Sequence, residues 1–449
     1  MRRLPALLLA ATLAGACGAP SAPTPSAGPS ASAVPSAPTG SPAAAGGIEF
    51  VSAPGIPRLA TSTAAAASAG AALSAFGLDL LARVRTADGN AVVSPASVAL
   101  ALAMARAGAR GNTATEMDAV LHGLAADAHA DWVASLDAAL EARSGTFADQ
   151  AGKPQQVTLR IANTSFAQQG LPLEPAYLDA LAARFGAGAG LADFKTAPEA
   201  ARSAINAWVA GQTKQRIKDL LGPGTVDDTT RLVLVNAVYL KAAWAKPFDA
   251  TATSDATFTR PDGTTVTAKF MQSGGSLDYA AGAGWQAVQL PYVGDQLAML
   301  VIVPDSLPSF AAGLDTAALA SIAGQLAPRE VNLSLPRFGT ETRADLAAVL
   351  ATLGMPSAFS ASAADFSGMT TAERLFISAV VHQATITVDE AGTEAAAATA
   401  AVMAGAAAPS QTVTLRVDRP FVFAVRDLAT GAVLFLGQIA DPTVGAPAS

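Results

Sequence analysis

The sequence has one cysteine and three histidines among 449 residues, and this scarcity excludes several classes of site. A single thiol, Cys17, cannot build a disulfide framework or a cysteine-based zinc site within the chain. Charged residues make up only 14% of the sequence, and the net charge is −7. Because no basic excess is available to neutralise phosphates, we do not expect nucleic acid as a partner. Nothing in the sequence indicates a cofactor or a metal ion.

Apolar residues, in contrast, account for 51% of the chain, which is enough for a large core. Between residues 18 and 58 the composition changes to Ser, Pro, Ala and Gly with almost no charge and no periodicity. Such a segment cannot bury enough apolar surface to offset its ordering entropy, so we predict a disordered linker there. No second linker of this kind follows. Residues 59–449 are therefore predicted to form one domain.

The first 17 residues are typical of a targeting segment. Two arginines precede an apolar run over residues 4–13, and Ala14-Gly15-Ala16-Cys17 follows. A secretory signal cleaved after Ala16 explains the small residues but not the lone cysteine. The same string resembles a bacterial lipoprotein box in which Cys17 is lipidated, although Ala14 stands where Leu is usual. Both interpretations place the protein outside the cytoplasm, either secreted or anchored to the outer side of the cell membrane through Cys17.

A late stretch, residues 388–401, differs in composition from an ordinary core element. It begins as a strand continuation, passes through Gly392, and has no long side chain after Glu394. Alanine favours helix, so a surface helix or a linker is one interpretation. If the stretch is extended, alternate residues share a face, and Glu394 lies on the opposite one. The shared face then carries only residues small enough to enter between existing strands: Thr393, Ala395, Ala397, Thr399 and Ala401.

This stretch resembles the reactive-loop hinge of the serpins, the serine protease inhibitor family. The residues that carry the resemblance are Glu390, Gly392, Thr393, Glu394, Ala395, Ala396, Ala397, Ala398 and Thr399. Other strings between residues 70 and 443 resemble the family in the same order, among them Asn90…Ser94-Pro95…Ser97, Val235-Asn236…Lys241…Trp244…Pro247-Phe248 and Asp418-Arg419-Pro420-Phe421.

The pattern of helices and strands alone predicts a large mixed α/β secreted domain. The resemblance implies a more specific α+β fold, the serpin fold. That fold has a large central and mostly antiparallel sheet, further sheets, about eight or nine helices and an exposed reactive loop.

The resemblance also implies that four polar residues lie together behind the opening strands of the central sheet, in a cluster called the shutter: Ser94, Ser97, Asn236 and His382. From the residues alone, Ser94 is a helix cap in front of Pro95. Asn236 interrupts a strand buried on both faces and must find partners, because an unpaired buried amide costs about 1–3 kcal/mol.

A second implied cluster, the breach, lies where the loop enters the sheet. The resemblance places Trp244 near the top of this gap and pairs Glu390 with Arg337. The alternative for the last two residues is that they are separate surface charges.

The alternative from another class is a Ser/His hydrolase. Such an enzyme needs an oriented base beside its nucleophile, and Ser94 with His382 is the only combination that the resemblance brings together. The chain contains no Gly-x-Ser-x-Gly elbow. His382 lies in an apolar strand, which favours a structural histidine, and His122 and His129 have no evident carboxylate support in the sequence. We therefore predict that the protein is not an enzyme.

The resemblance implies suicide-substrate inhibition of a serine protease by a monomer. The protease cuts the loop and becomes acylated, and the freed arm inserts as a new central strand. The small residues from Thr393 to Ala401 indicate an inhibitory member of the family. The alternative is a non-inhibitory binding protein with the serpin fold on the cell surface.

Family spacing from Glu390 places the reactive bond at Ala406-Ala407. Met403-Ala404 and Gly405-Ala406 are neighbouring candidates. All three bonds offer a small or medium apolar side chain, which suits elastase-like or subtilisin-like proteases with shallow pockets.

Overall fold

The computed structural model describes residues 47–150, 152–394 and 412–445, all of which belong to one compact unit. The predicted signal segment, the linker up to residue 46 and the candidate reactive bonds lie outside these ranges.

The described residues form nine α-helices. Ser62 and Ser94 cap the first two, each accepting a hydrogen bond from a backbone N–H three residues on, and Pro95 opens the second. The helices are α1 (Thr63–Val84), α2 (Pro95–Gly108), α3 (Gly111–Val120), α4 (Ala130–Glu141), α5 (Pro175–Phe185), α6 (Pro198–Gln212), α7 (Leu307–Ala312), α8 (Thr316–Gly324) and α9 (Ala347–Leu353). Helix α1 is long and apolar enough to cross a membrane, but most of it is buried in the protein core.

Seventeen strands are found in the same residues. In chain order they are β1 (Ile48–Val51), β2 (Ala91–Val93), β3 (Gly145–Ala148), β4 (Pro154–Gln168), β5 (Ala189–Ala192), β6 (Leu232–Ala243), β7 (Ser254–Thr259), β8 (Thr265–Gly282), β9 (Trp285–Pro291), β10 (Leu297–Pro304), β11 (Ala327–Pro336), β12 (Phe338–Asp345), β13 (Ala379–Val388), β14 (Gly392–Thr393), β15 (Val413–Arg416), β16 (Phe421–Asp427) and β17 (Val433–Ile439).

The strands form two large sheets. The central sheet has the order β1-β5-β4-β6-β14-β13-β12, with β3 paired to β4, and most of its neighbours are antiparallel. The second sheet has the order β15-β11-β8-β9-β10-β16-β17-β2, with β7 paired to β8. The predicted α+β fold class, with a large and mostly antiparallel central sheet, is confirmed.

The central sheet separates two apolar cores. Even-numbered residues of β6, such as Leu234 and Leu240, face the larger core, which also contains α2. Odd-numbered residues such as Val233 and Val235 face a smaller core that lies beneath α6. This alternation is the two-residue period of a strand, and it decides which side chains can meet at the centre of the sheet.

The structure differs from the prediction at the end of the linker. Instead of a linker that continues to residue 58, β1 pairs antiparallel with β5, and Ile48 is buried in the smaller core. The ring of Phe50 lies 6.1 Å from that of Phe166 and 6.2 Å from that of Trp208, measured between centroids. Four residues are too few for a strand pattern to be detected, and the edge of β5 that pairs with them exists only in the folded protein.

Replacement of Phe50 by Ala tests the contribution of β1. Because the ring contacts of Phe50 would be lost, we expect the free energy of unfolding to fall by about 1–2 kcal/mol in chemical denaturation followed by circular dichroism. Ile56→Ala is the matched control, since Ile56 is exposed to a similar degree, 38% against 36%. Equal effects of the two substitutions would show that β1 contributes nothing specific.

Candidate functional site at the seam of the central sheet

The centre of the sheet is a seam between β6 and β13. In its lower half the two strands pair directly and in parallel, from Ala379 opposite Val233 to Gln383 opposite Ala237. In its upper half β14 lies between them and is antiparallel to both, with Thr393 opposite Ala242 on one side and Val388 on the other. The upper half of the seam therefore contains a two-residue strand, β14, between β6 and β13.

Residues 389–392 turn the chain back from β13 into β14. The Asp389 carboxylate accepts hydrogen bonds from the backbone N–H groups of Ala391 and Gly392, at 2.9 and 3.2 Å. Residue 392 must be glycine, because a Cβ there would lie 2.2 Å from the carbonyl oxygen of Ala242. The turn thus needs both the acidic side chain and the glycine.

Trp244 holds this turn from the side of β6. Its backbone N–H donates to the carbonyl oxygen of Ala391, and its indole Nε1–H donates to that of Asp389, both at 2.9 Å. The indole stacks on the ring of Tyr292, with centroids 4.6 Å apart and planes 11° from parallel. Trp244 is therefore at the top of the seam, where the resemblance placed it.

Thr393 is buried in the seam. Its side chain is 1% exposed, and its Oγ1 lies 2.6 Å from the hydroxyl of Tyr292. Burial raises the pKa of Tyr292 far above its ordinary value, so the phenol stays neutral, and either hydroxyl can donate the hydrogen bond to the other. Sequence reasoning missed Tyr292 because its partner lies 101 residues away in the chain.

Glu390 and Arg337 form an ion pair beside the turn. Arg337 Nε lies 2.8 and 2.9 Å from the two carboxylate oxygens, and the Thr253 hydroxyl donates to one of them. Glu390 is 8% exposed and its partner's side chain 19%, so both are largely removed from water. The predicted pair is present, and the alternative of two separate surface charges is wrong.

Glu394 ends the paired segment. Its backbone φ is +49°, a left-handed conformation that breaks the path of the strand. Its carboxylate lies on the face opposite Thr393, 3.4 Å from Arg216 in the loop after α6. Burial raises the pKa of Glu394, while the charge on Arg216 acts in the opposite direction. Ala395, Ala396, Ala397, Ala398 and Thr399, the remaining predicted hinge residues, lie outside the described ranges.

The four predicted shutter residues meet behind the lower half of the seam, and all are fully buried. His382 Nδ1 lies 2.7 Å from Asn236 Oδ1, and its Nε2 lies 3.2 Å from the backbone N–H of Ser94. The Ser94 hydroxyl accepts a hydrogen bond from the Ser97 N–H at 3.3 Å. The Ser97 hydroxyl in turn lies 3.4 Å from the amide of Asn163, a member of the cluster that sequence reasoning missed.

These contacts assign the hydrogen positions in the cluster. Because the Ser94 N–H donates to His382 Nε2, the ring proton is on Nδ1 and points to Asn236. Burial lowers the pKa of His382 to about 4, so the ring is neutral near pH 7. The Ser94 hydroxyl caps α2 and makes no bond to the imidazole, which is not the geometry of a nucleophile and its base.

The other two histidines lie away from the seam. His122 Nε2 is 2.8 Å from a carboxylate oxygen of Asp79, so this residue does have acidic support, contrary to expectation. His129 donates a hydrogen bond from Nδ1 to the Gly123 carbonyl oxygen, 3.0 Å away, and its ring stacks on Trp132. Both contacts join neighbouring surface elements, and the two imidazoles do not form a common site.

The family model described as serpin (serine protease inhibitor) matches residues 71–442 of this chain. The chain belongs to the serpin family. Leukocyte elastase inhibitors of Homo sapiens and Bos taurus are 35% and 38% identical to it over 366 and 365 residues, which cover 79% of this chain and 93% of each relative. An uncharacterised serpin-like protein of Thermococcus kodakarensis is 37% identical over 361 residues, with 79% and 82% covered.

Solved serpin structures have the same fold. The native state of the thermophilic serpin tengpin superimposes with a TM-score of 0.74 at 25% identity, covering 87% of this chain and 97% of tengpin. Uncleaved ovalbumin superimposes with a TM-score of 0.72 at 28% identity, covering 83% of this chain and all of ovalbumin. Strand β1 lies outside the span matched by the family model.

The buried histidine of this serpin predicts a pH dependence of stability. The pKa of this histidine is 6.5 in the unfolded chain and about 4 in the folded protein. Between these two pH values the unfolded chain therefore binds a proton that folded His382 does not. The free energy of unfolding should therefore fall as the pH is lowered through this window, by about 3 kcal/mol in total from this residue. Denaturant unfolding at pH 7, 6, 5 and 4 measures the effect.

The comparison variant is His382→Gln, which keeps hydrogen-bonding groups but has no proton to take up in this range. Its loss of stability between pH 6.5 and 4 should be smaller than that of the unmodified protein, because the contribution of this histidine is removed. Identical pH profiles would contradict the assignment of a neutral, buried His382.

Proposed function

We propose that this serpin inhibits a serine protease by offering residues 392–411 as a substrate and inserting the freed arm into its central sheet. The observation that supports this proposal is the position of β14. Its two residues pair with β6 and with β13, the two strands that a longer inserted strand would separate. Below β14 the same two strands remain in direct contact over five residues each, and that contact would open.

The chemistry of the first step belongs to the protease. Its serine oxygen attacks the carbonyl carbon of the residue before the reactive bond, the peptide C–N bond breaks, and the new amino terminus leaves. The protease is then joined by an ester to the end of the arm. If the arm inserts before water hydrolyses this ester, about 14 residues at roughly 3.3 Å each carry the protease about 45 Å along the sheet.

The residues of the arm favour rapid insertion. From Thr393 to Ala401 no proline or bulky side chain is present, and only Glu394 carries a charge. Glu394 has a left-handed backbone conformation in the intact protein, and this residue would have to become extended for the arm to pair beyond Thr393. Insertion would add backbone hydrogen bonds on both sides of the arm, so the intact protein is the less stable form.

The proposed target is an elastase-like or subtilisin-like protease. Ala406-Ala407 remains the proposed reactive bond, with Met403-Ala404 and Gly405-Ala406 as alternatives, and each presents a small or medium apolar side chain. The names of the relatives from Homo sapiens and Bos taurus, leukocyte elastase inhibitors, support this choice. Trypsin-like proteases, which require Arg or Lys before the bond, do not fit.

A second candidate is a non-inhibitory serpin that binds a ligand at the cell surface. Human thyroxine-binding globulin has the same fold, with a TM-score of 0.72 at 26% identity, covering 84% of this chain and all of that protein. A cavity of about 470 Å³ on the second sheet is lined mainly by polar residues of β8, β11 and β15. Insertion of a long arm is not needed for this function, so covalent complex formation separates the two candidates.

Mixing the protein with elastase or subtilisin tests the proposal. An inhibitor gives a covalent band that survives boiling in denaturant, together with a small C-terminal peptide whose mass identifies the cut bond. We expect this peptide to begin at Ala407. Complete cleavage without any covalent band would exclude inhibition of these proteases by trapping.

Thr393→Arg should convert the inhibitor into a substrate. The arginine would have to occupy the buried position beside Tyr292, where Thr393 is 1% exposed, and burying an unpaired charge is strongly unfavourable. The number of inhibitor molecules consumed per protease inhibited should rise more than tenfold. Thr393→Ser, which keeps the hydroxyl, is the matched control, and trapping by the Arg variant at unmodified stoichiometry would disprove insertion.

Export and lipid attachment belong to the same proposal. If residues 1–17 direct export and Cys17 is lipidated, the protein expressed in a bacterium should partition into detergent, and Cys17→Ala should move it to the aqueous phase. The thermal midpoint of unfolding is the internal control, because Cys17→Ala should not change the stability of the folded domain. Aqueous partitioning of both proteins would favour the simple secretory signal.

A further inference from the structure

The second sheet carries a polar cavity where four of its strands lie side by side. Strand β15 pairs with β11, β11 with β8, and β8 with β7. The cavity above these strands has a volume of about 470 Å³. Small-molecule sites in proteins have volumes of roughly 300–1,000 Å³, so this one is large enough for a ligand. None of the described residues that line it belongs to the seam of the central sheet.

Strand register explains why the cavity is polar. Residues two apart point to the same side of a strand, so residues paired across three strands form rows on one face of the sheet. Two such rows, two residues apart, line the cavity. The rows are Thr414–Asn332–Gly274 and Arg416–Ser334–Gln272. Each row therefore places side chains from β15 and β11 beside the backbone or side chain of β8.

Residue 274 leaves room for the cavity because it has no side chain. A Cβ at Gly274 would lie 3.2 Å from Asn332 Oδ1 and would take up space in the first row. The next residue, Gly275, has a φ of +125°, which residues with a Cβ rarely adopt. The Lys246 ammonium donates a hydrogen bond to the Gly274 carbonyl oxygen and so holds this pair of glycines in position.

Three of the polar side chains in the two rows are available to a ligand. Among the described residues, the Asn332 amide and the Thr414 hydroxyl make no hydrogen bond. Arg416 Nε lies 3.7 Å from Asp418 Oδ2, which is too far for a hydrogen bond, and the arginine side chain is 55% exposed. In the second row, Gln272 Nε2 donates to Ser334 Oγ at 3.0 Å, which fixes the position of the glutamine amide.

The chemistry of these groups restricts the ligand. Amide and hydroxyl side chains both donate and accept hydrogen bonds, as the hydroxyls of a sugar do. Arg416 is the one charged residue among the described residues that line the cavity, and no carboxylate is found with it. A guanidinium binds a carboxylate through two parallel hydrogen bonds. A ligand with several hydroxyls and one carboxylate would therefore use both kinds of group.

We propose that this cavity binds an acidic sugar, a hexose unit that carries one carboxylate. The carboxylate contacts the guanidinium of Arg416, and the ring hydroxyls contact the side chains of Asn332, Thr414 and Gln272. Gly274 lets the sugar ring approach the backbone of β8. The inference adds a ligand to the proposed function and does not depend on insertion of the loop. A free sugar acid and the same unit within a polysaccharide present the same groups to the site.

Titration calorimetry of the full-length protein with galacturonate tests the site. Galactose, which has a hydroxymethyl group in place of the carboxylate, and acetate, which has no hydroxyls, are the matched ligands. We expect galacturonate to bind roughly tenfold more tightly than galactose, because galactose lacks the charged contact with Arg416. Acetate should bind more weakly than galacturonate by at least as large a factor, because it leaves the amides and hydroxyls of the cavity unused.

The methyl glycoside of galacturonate distinguishes the two sources of the ligand. Its anomeric oxygen is blocked, as it is in a polysaccharide. Binding equal to that of galacturonate would support a chain-linked sugar, whereas loss of binding would assign the cavity to the free sugar acid.

Changes in the protein test the same contacts. In Arg416→Gln the preference for galacturonate over galactose should shrink to less than about twofold. Arg329→Gln is the matched control, because Arg329 is an exposed arginine of β11 that does not line the cavity. Gly274→Val should abolish binding of both sugars by filling the cavity, and Ser276→Val, on the same strand but outside the cavity, should not.

The melting temperature of each variant shows whether it folds. Should Gly274→Val fail to fold, Asn332→Leu gives the answer, because it removes the amide at an exposed position and keeps a side chain of similar size. We expect Asn332→Leu to weaken the binding of galacturonate and of galactose by the same factor, roughly fivefold to tenfold for one lost hydrogen bond.

The outcomes separate this inference from the proposed function. The acidic-sugar site is wrong if galacturonate gives no heat of binding, if galactose or acetate binds as well as galacturonate, or if Arg416→Gln leaves the preference unchanged. Such results would not affect the proposed inhibition, which is read from the covalent band formed with elastase or subtilisin. Equally, absence of that band would leave the binding of the sugar intact.

Discussion

The structure depends on the pairing of β6 with β13, since these two strands form the centre of the large sheet. Their lower halves bond to each other directly, and their upper halves bond to β14. In the proposed mechanism the two lower halves separate, and the chain's own loop supplies one more strand between them.

Polar residues are concentrated along this seam although it is buried. The shutter and the Glu390–Arg337 pair remove hydrogen-bonding groups from water, which is unfavourable unless each group finds a partner. Most of these groups have a partner in the structure. Ser94, Asn236 and His382 bond to one another in the lower half of the seam. Thr253 and Arg337 bond to Glu390 at the top. Such contacts are directional, whereas apolar side chains could slide past one another. The polar groups therefore make the closed seam a defined state.

The other elements hold this seam in position. Helix α2 supports one face through the cap at Ser94, and α6 covers the other above the smaller core. The far edge of the sheet is extended by β1, whose aromatic residue packs against Phe166 and Trp208.

The sequence by itself determined the fold class and pointed to the four shutter residues, because serpins carry these as recognisable strings of neighbouring residues. Only the tertiary structure revealed the partners that approach from distant parts of the chain. Tyr292 beside Thr393, Asn163 beside Ser97 and Arg216 beside Glu394 each lie more than 60 residues from the residue they contact. The same holds for β1, whose four residues become a strand only because β5 offers a free edge. The register that aligns Asn236 with His382 likewise arises from strand pairing, which a linear pattern does not contain.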